Sequence, residues 1–264
     1  MIELLLLPPI LRGLVAILAA GAAFPLTGVM VLRLNLLPIR YTLMHGLILG
    51  GALSLVFSLP VLPTYVIASL AIVFLVLLIG RGRNLNLGIS SSVLMVLAVA
   101  VASLLTSLSD VPSKDTLDML WGSPFTIGKA ELTAFLLLSA CLFIYVVSFF
   151  RTISLIFFDR DVALSINRHI KLHEDVMVML LALTVALSMR FVGALLIDAL
   201  LIIPVICAYK VARSLKTLFI YSSLFGFLIA FLGYFASLYF DVPPSGAIAI
   251  TSGVFYILIP KRKN

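Results

Sequence analysis

Charge is what this chain has least of. Asp, Glu, Lys and Arg make up 11% of its 264 residues, against 63% hydrophobic. A soluble globular domain carries roughly 25% charged residues, so a soluble chain of this composition lacks the polar groups to cover its own surface. Cysteine is also scarce. Cys141 and Cys207 lie far apart inside apolar runs, which excludes a disulfide framework and reads as two buried packing thiols. No G-x-x-x-x-G-K-[ST] occurs, since the one Gly-Lys pair is Gly128-Lys129-Ala130, and this excludes ATP binding through a P-loop. The zinc-protease pattern H-E-x-x-H is missing too: His169-x-x-x-His173-Glu174 lacks the Glu beside the first His and reads as a solvated helix or turn. With no catalytic constellation left, the chain is not expected to be an enzyme. The formal charge of +7 raises a nucleic-acid partner, but no stretch combines a basic run with exposed aromatics, so none is expected. Met1-Ile2-Glu3-Leu4 puts no basic residues ahead of the apolar stretch, which argues against a cleaved signal peptide.

What is present in abundance is apolar runs. In hydrocarbon every backbone polar group needs an internal partner, so such runs must be helices. They fall at 13–32, 43–58, 62–80, 88–108, 132–150, 176–189, 191–209, 217–239 and 246–260. Lipid is therefore the expected solvent, and the fold class is all-α: one polytopic membrane domain over 1–264 with eight or nine spans. Met189-Arg190 is taken as the separator of the sixth and seventh runs. Pro8-Pro9 sets off residues 2–7, which suit the interface.

The segments between runs carry the orientation. If 33–42, 81–87, 151–175, 210–216 and 261–264 share one side, that side holds Arg33, Arg40, Arg81, Arg83, Arg151, Arg160, Arg168, Lys171, Lys210, Arg213, Lys216, Lys261, Arg262 and Lys263, which is 14 of the 18 basic residues. The other side keeps Arg12, Lys114, Lys129 and Arg190, together with Asp110, Asp115, Asp118, Glu131 and Asp241. Positive loops stay cytoplasmic, so nine spans, N-terminus outside and C-terminus inside are expected. Small residues within runs, such as Gly46-x-x-x-Gly50, let helices approach closely and indicate a bundle.

Two polar groups sit where apolar ones are expected: His45, just inside the second run, and Asp198, in the middle of the seventh. An ionisable group at membrane depth is costly and usually faces a cavity, a partner or a transported ion. An imidazole and a carboxylate suit a divalent transition metal. A proton relay suits them as well, and so does a structural hydrogen bond for each.

Several segments together resemble a known family. They are Leu120-Trp121-Gly122-Ser123, Phe158-Asp159-Arg160-Asp161-Val162-Ala163, Phe191-Val-Gly-Ala-Leu-Leu-Ile-Asp-Ala-Leu-Leu-Ile-Ile-Pro204 with its continuation to Arg213, and Asp241-Val-Pro-Pro-Ser245-Gly246. In this order and spacing the chain is similar to the permease subunits of bacterial zinc/manganese/iron-type ABC importers. The resemblance implies a type II importer permease fold in the bacterial cytoplasmic (inner) membrane. It also implies a second permease copy, two cytoplasmic ATP-binding subunits and an extracytoplasmic metal-binding protein. Zinc or manganese would be cargo, with no cofactor bound permanently. The family's coupling helix would fall after Pro204, within 205–216, using Ala208, Lys210, Arg213 and Lys216. The family's Gly-Asp-x-x-x-His gate maps onto His45, but Tyr41 stands at the Asp position and Arg40 at the Gly position. A phenol is protonated at neutral pH and ligates poorly, and a guanidinium repels a cation. Asp198 is the candidate to restore the carboxylate from another helix. Rival readings keep the fold with an altered cargo, make His45 and Asp198 the proton path of a secondary carrier, or make the chain a scaffold.

Overall fold

The computed structural model describes residues 7–82, 87–109, 124–167 and 169–260, and those residues are helical apart from short turns. In chain order the helices are α1 (Pro8–Arg33), α2 (Leu37–Val56), α3 (Val61–Gly82), α4 (Leu87–Leu108), a 3₁₀ turn at Pro124–Thr126, α5 (Lys129–Ser148), α6 (Phe150–Phe158), α7 (Arg160–Ile166), α8 (Ile170–Val192), α9 (Ala194–Leu201), α10 (Ile203–Val211), α11 (Leu215–Phe240) and α12 (Pro244–Leu258). Eight helical segments among the described residues are long and apolar enough to cross a bilayer, with Ala194–Val211 counted as one. The 15-residue α12 rises about 22 Å, short of the roughly 30 Å hydrocarbon core. The expected multi-span helical fold is thus present, with the ninth segment shorter than a perpendicular span.

Several boundaries differ from the expected ones. α1 and α2 begin earlier than their apolar runs because Pro8-Pro9 and Pro38 occupy first-turn positions, where a missing N–H costs nothing. The expected 33–42 connection therefore shrinks to a tight turn with Asn35 at φ 56°, and Arg40 and Tyr41 belong to a helix. α8 starts at Ile170 and runs through Arg190, so Met189-Arg190 does not separate two spans; Gly193, at φ 78°, does. That left-handed conformation is open to glycine without the Cβ penalty. The expected loop 151–175 is not a loop either: it holds α6, α7 and the first turns of α8. Arg81, Arg83, Arg168, Lys114, Lys261, Arg262, Lys263, Asp110, Asp115, Asp118 and the Leu120–Ser123 segment lie outside the residues whose side chains are described.

The chain divides into two compact units. The first comprises residues 1–34, 123–177 and 195–264, and the second 35–122 and 178–194. The first is built on α1 and α11. They cross at Gly21 and Gly226, where a Cβ added to Gly226 would overlap the Gly21 carbonyl oxygen. Close backbone approach of this kind replaces the hydrophobic drive that water would supply. Ser223 adds a hydrogen bond, donating its hydroxyl to the Ala22 carbonyl at 2.7 Å. Tyr234 donates to the Ile10 carbonyl at 2.7 Å, and Arg12 donates to the Ile127 carbonyl at 3.3 Å. At one end of this unit Phe150 and Phe157 of α6 pack on Phe219 of α11, with ring centroids 6.2 and 6.5 Å apart. The second unit packs α2 against α3 and α4. Within it the Thr42 hydroxyl shares its hydrogen between the carbonyls of Pro38 and Ser91, at 2.9 and 2.8 Å.

The turn between α6 and α7 explains the Phe158–Ala163 motif residue by residue. Asp159 caps α7, accepting from the backbone N–H groups of Asp161 and Val162. Arg160 donates twice to Glu174 of α8, at 2.5 and 3.0 Å, and that hydrogen bond raises its guanidinium above the ordinary arginine value. Ala163 is fully buried. Since Arg160 is 55% exposed, the pair contributes at most about 1 kcal/mol, and the cap is the firmer element.

Gly226→Ala should lower the thermal unfolding midpoint of the detergent-solubilised chain by an amount matching about 1–3 kcal/mol of overpacking. Gly246→Ala, at a position with nothing within 4 Å of the added carbon, should leave the midpoint unchanged or raise it. Asp159→Ala should speed hydrogen exchange in α7 about fivefold, as loss of about 1 kcal/mol of capping requires. Arg160→Ala should change it less.

Candidate functional site

His45 is the ninth residue of the 20-residue α2, and its side chain is exposed on the helix surface with Tyr41, one turn earlier. Residues four apart share a helix face. The Nδ1 atom of His45 lies 2.9 Å from the Tyr41 carbonyl oxygen. A carbonyl only accepts, so Nδ1 carries the proton, and in the neutral ring Nε2 keeps a lone pair. This is how metal-ligating histidines are commonly oriented, with the second ring nitrogen held by a backbone carbonyl. Facing lipid, a polar ring at mid-span would go unsatisfied; facing a wet path or a partner, it would not.

Arg40 and Tyr41 complete this surface differently from what their sequence positions suggest. Arg40 is 2% exposed. Its guanidinium lies over the Tyr41 ring, 4.3 Å from the centroid, while Tyr41 itself is 46% exposed. The ring therefore stands between the charge and the surface that His45 shares, and a cation over an aromatic face is stabilised by about 0.5–2 kcal/mol.

Asp198 is half-buried in the eight-residue α9, one turn before the helix breaks at Ile202. It belongs to the first unit and His45 to the second, so the two candidate ligands lie in different units. Among the described residues no group of three or more His, Cys, Asp and Glu side chains forms a metal cage.

The break itself follows from Pro204, which has no N–H to give the Leu200 carbonyl. It stands in the first turn of α10. α1 covers the break: a Cβ on Gly28 would overlap the Leu201 carbonyl oxygen, so only glycine allows this approach.

The residues expected to couple to an ATPase separate into different surroundings. No single helix covers Ala208–Lys216; α10 ends at Val211, and α11 starts at Leu215 behind a Ser214 cap. Pro204 and Ala208 are buried. The Lys210 ammonium donates to the carbonyls of Tyr256 and Ile259, at 2.5 and 3.2 Å, and lies 3.6 Å from the Tyr256 ring centroid. It therefore closes the C-terminus of α12, a favourable place for a cation. Arg213 and Lys216 are exposed, with the Arg213 N–H donating to Thr217 at 3.1 Å.

The sequence reading missed α7. Val162 and Ile166, one turn apart, are 45% and 67% exposed, and Phe158 at the preceding bend is 88% exposed. Seven residues rise about 10 Å, too short to span a membrane, so this apolar face is a candidate contact for another protein. The signal was available: Asp159 three residues ahead of Val162, with apolar residues at a spacing of four.

The chain is 27% identical over 248 residues to an uncharacterized membrane protein of Cyanophora paradoxa, covering 93% of this chain and 82% of that one. It is 31% identical over 157 residues to the manganese import system permease protein ScaB of Streptococcus pneumoniae, spanning 58% of this chain and 56% of the relative. The solved structure of PsaBC from Streptococcus pneumoniae, in complex with Fab, superposes with a TM-score of 0.83 over 98% of this chain and 95% of that one, at 22% identity. The model of the ABC 3 transport family matches residues 7–261, nearly the whole chain, and the protein belongs to that family.

Proposed function

We propose that this protein is the membrane-spanning permease subunit of an ATP-driven importer for a divalent transition metal, manganese or zinc, in a bacterial cytoplasmic membrane. The observation that carries the metal reading is His45: an imidazole halfway along an apolar helix, exposed, with its tautomer set by the Tyr41 carbonyl. Membership in a transport family and the manganese relative support the same reading.

In this mechanism the subunit forms and breaks no covalent bond. Its contribution is a path whose ligands hold the ion weakly enough to release it. Nε2 of His45 supplies one neutral donor, while Asp198, in the other unit, is given no place in that site. Binding and hydrolysis of ATP by separate subunits would bias the inward- and outward-facing states. Those subunits would dock on the apolar face of α7. The buried motif residue Ala163 and the Asp159 cap fix that helix, while Val162 and Ile166 meet the partner. In this proposal the docking face is α7, whereas the sequence resemblance implies Ala208–Lys216. The orientation that suits it puts α6, α7, Arg213 and Lys216 in the cytoplasm, with the N-terminus outside, as the basic residues indicate. A second copy of the chain and an extracytoplasmic metal-binding protein would complete the importer.

The test is purification of the chain with its native associates, followed by manganese-stimulated ATP hydrolysis. An ATPase should co-purify with the wild type and be lost from Ile166→Asp. His45→Ala should retain the ATPase but lose at least tenfold of the metal stimulation, since even the loss of a ligand's outer-shell partner typically costs about 10–100-fold. Unchanged stimulation in His45→Ala would exclude His45 from the path.

A further inference from the structure

A groove of about 820 Å³ opens between α1, α5, α6 and α11, entirely within the first unit. Leu26, Phe143, Phe150, Phe219 and Phe227 are among the residues that line it, and Lys216 is its one charged lining residue. Ser223 also borders it, but its hydroxyl hydrogen is already given to the Ala22 carbonyl. The walls are therefore hydrocarbon-like, and the only polar demand is a cation at one end.

The dimensions match a lipid. Lys216 and Phe227 lie eleven residues apart on one continuous helix, a rise of about 16 Å. One leaflet occupies half of the roughly 30 Å hydrocarbon core, about 15 Å. Lys216 is the second residue of α11 and is exposed, which puts its ammonium at headgroup level while the groove extends to mid-bilayer. No hydrogen bond or ion pair to Lys216 is present among the described residues. A hydrocarbon chain alone would leave that charge unmatched, and a choline headgroup would set a second cation near it. An anionic headgroup matches it.

We infer that this groove is a binding site for one anionic phospholipid, with the headgroup phosphate on Lys216 and the acyl chains along Phe219, Phe143 and Phe227. It rests on the membrane-spanning fold and is independent of the transported ion. Lys216, read from the sequence as a contact for the ATPase, serves the lipid instead.

The experiment exchanges the purified full chain, in detergent, into an equal mixture of phosphatidylglycerol and phosphatidylcholine and counts retained lipid by native mass spectrometry. The wild type should retain one phosphatidylglycerol in preference to phosphatidylcholine by about fivefold, as one lysine near a charged headgroup provides. Lys216→Gln should bring that ratio close to one without changing the thermal midpoint. Val147→Trp, which fills the groove from α5, should lose both lipids, and excess inorganic phosphate should displace neither. Equal retention of the two lipids by the wild type would overturn the inference, as would an unchanged ratio in Lys216→Gln. So would efficient disulfide cross-linking between two Val147→Cys chains in native membranes, because a second copy would then occupy the groove.

Discussion

In hydrocarbon, a peptide group that leaves its helix finds no water to replace the lost hydrogen bond. That constraint makes the described chain almost wholly helical, and it gives weight to the few places where a helix is interrupted. Gly193 and Ile202 bound a helix of only eight residues, and the broken backbone there survives because neighbours cover it. α1 seals the Ile202 break with Gly28 against the Leu201 carbonyl, and the same helix seats Gly21 against Gly226 of α11. α1 is thus both the centre of the first unit and the cover of its interruption. A bulky residue along that face would act on packing and on the break together.

Around this frame the polar groups fall into two kinds. Some complete the structure: Lys210 closes α12, Asp159 caps α7, and Tyr234, Ser223 and Thr42 occupy carbonyls of neighbouring helices. Others are turned to the surface. His45 gives one ring nitrogen to a carbonyl of its own helix and keeps the other, and Lys216 presents an ammonium to an apolar groove, while α7 presents the apolar Val162 and Ile166. A path, a lipid and a partner protein are the respective readings, and each is a different way of meeting an exposed group inside or beside a membrane.

Much of the fold was legible in the residues. Runs of apolar side chains admit only one backbone solution in lipid, so the spans could be placed almost without reference to packing. Their ends were less legible, because Pro8-Pro9 and Pro38 start helices ahead of the apolar stretch, and Arg190 continues a helix that hydropathy alone would end. His45 stood out because an ionisable group is rare at such depth. The destination of Lys210 was hidden, since nothing in a basic turn foretells that its partner lies 46 residues later at Tyr256. Nor does sequence show that Tyr41 covers the Arg40 guanidinium, which alters what those two positions mean for a passing cation. α7 went unread because its charged neighbours made the segment look like a solvated loop.

The central claim is that metal crosses here on the energy of ATP. The most direct measurement is accumulation of radioactive manganese by sealed vesicles containing this chain and its native associates, compared with and without ATP on the nucleotide-binding side and with an imposed proton gradient in its place. ATP-dependent accumulation that the proton gradient cannot replace is the expected result. Equal accumulation driven by the proton gradient without ATP would contradict it and identify a secondary carrier.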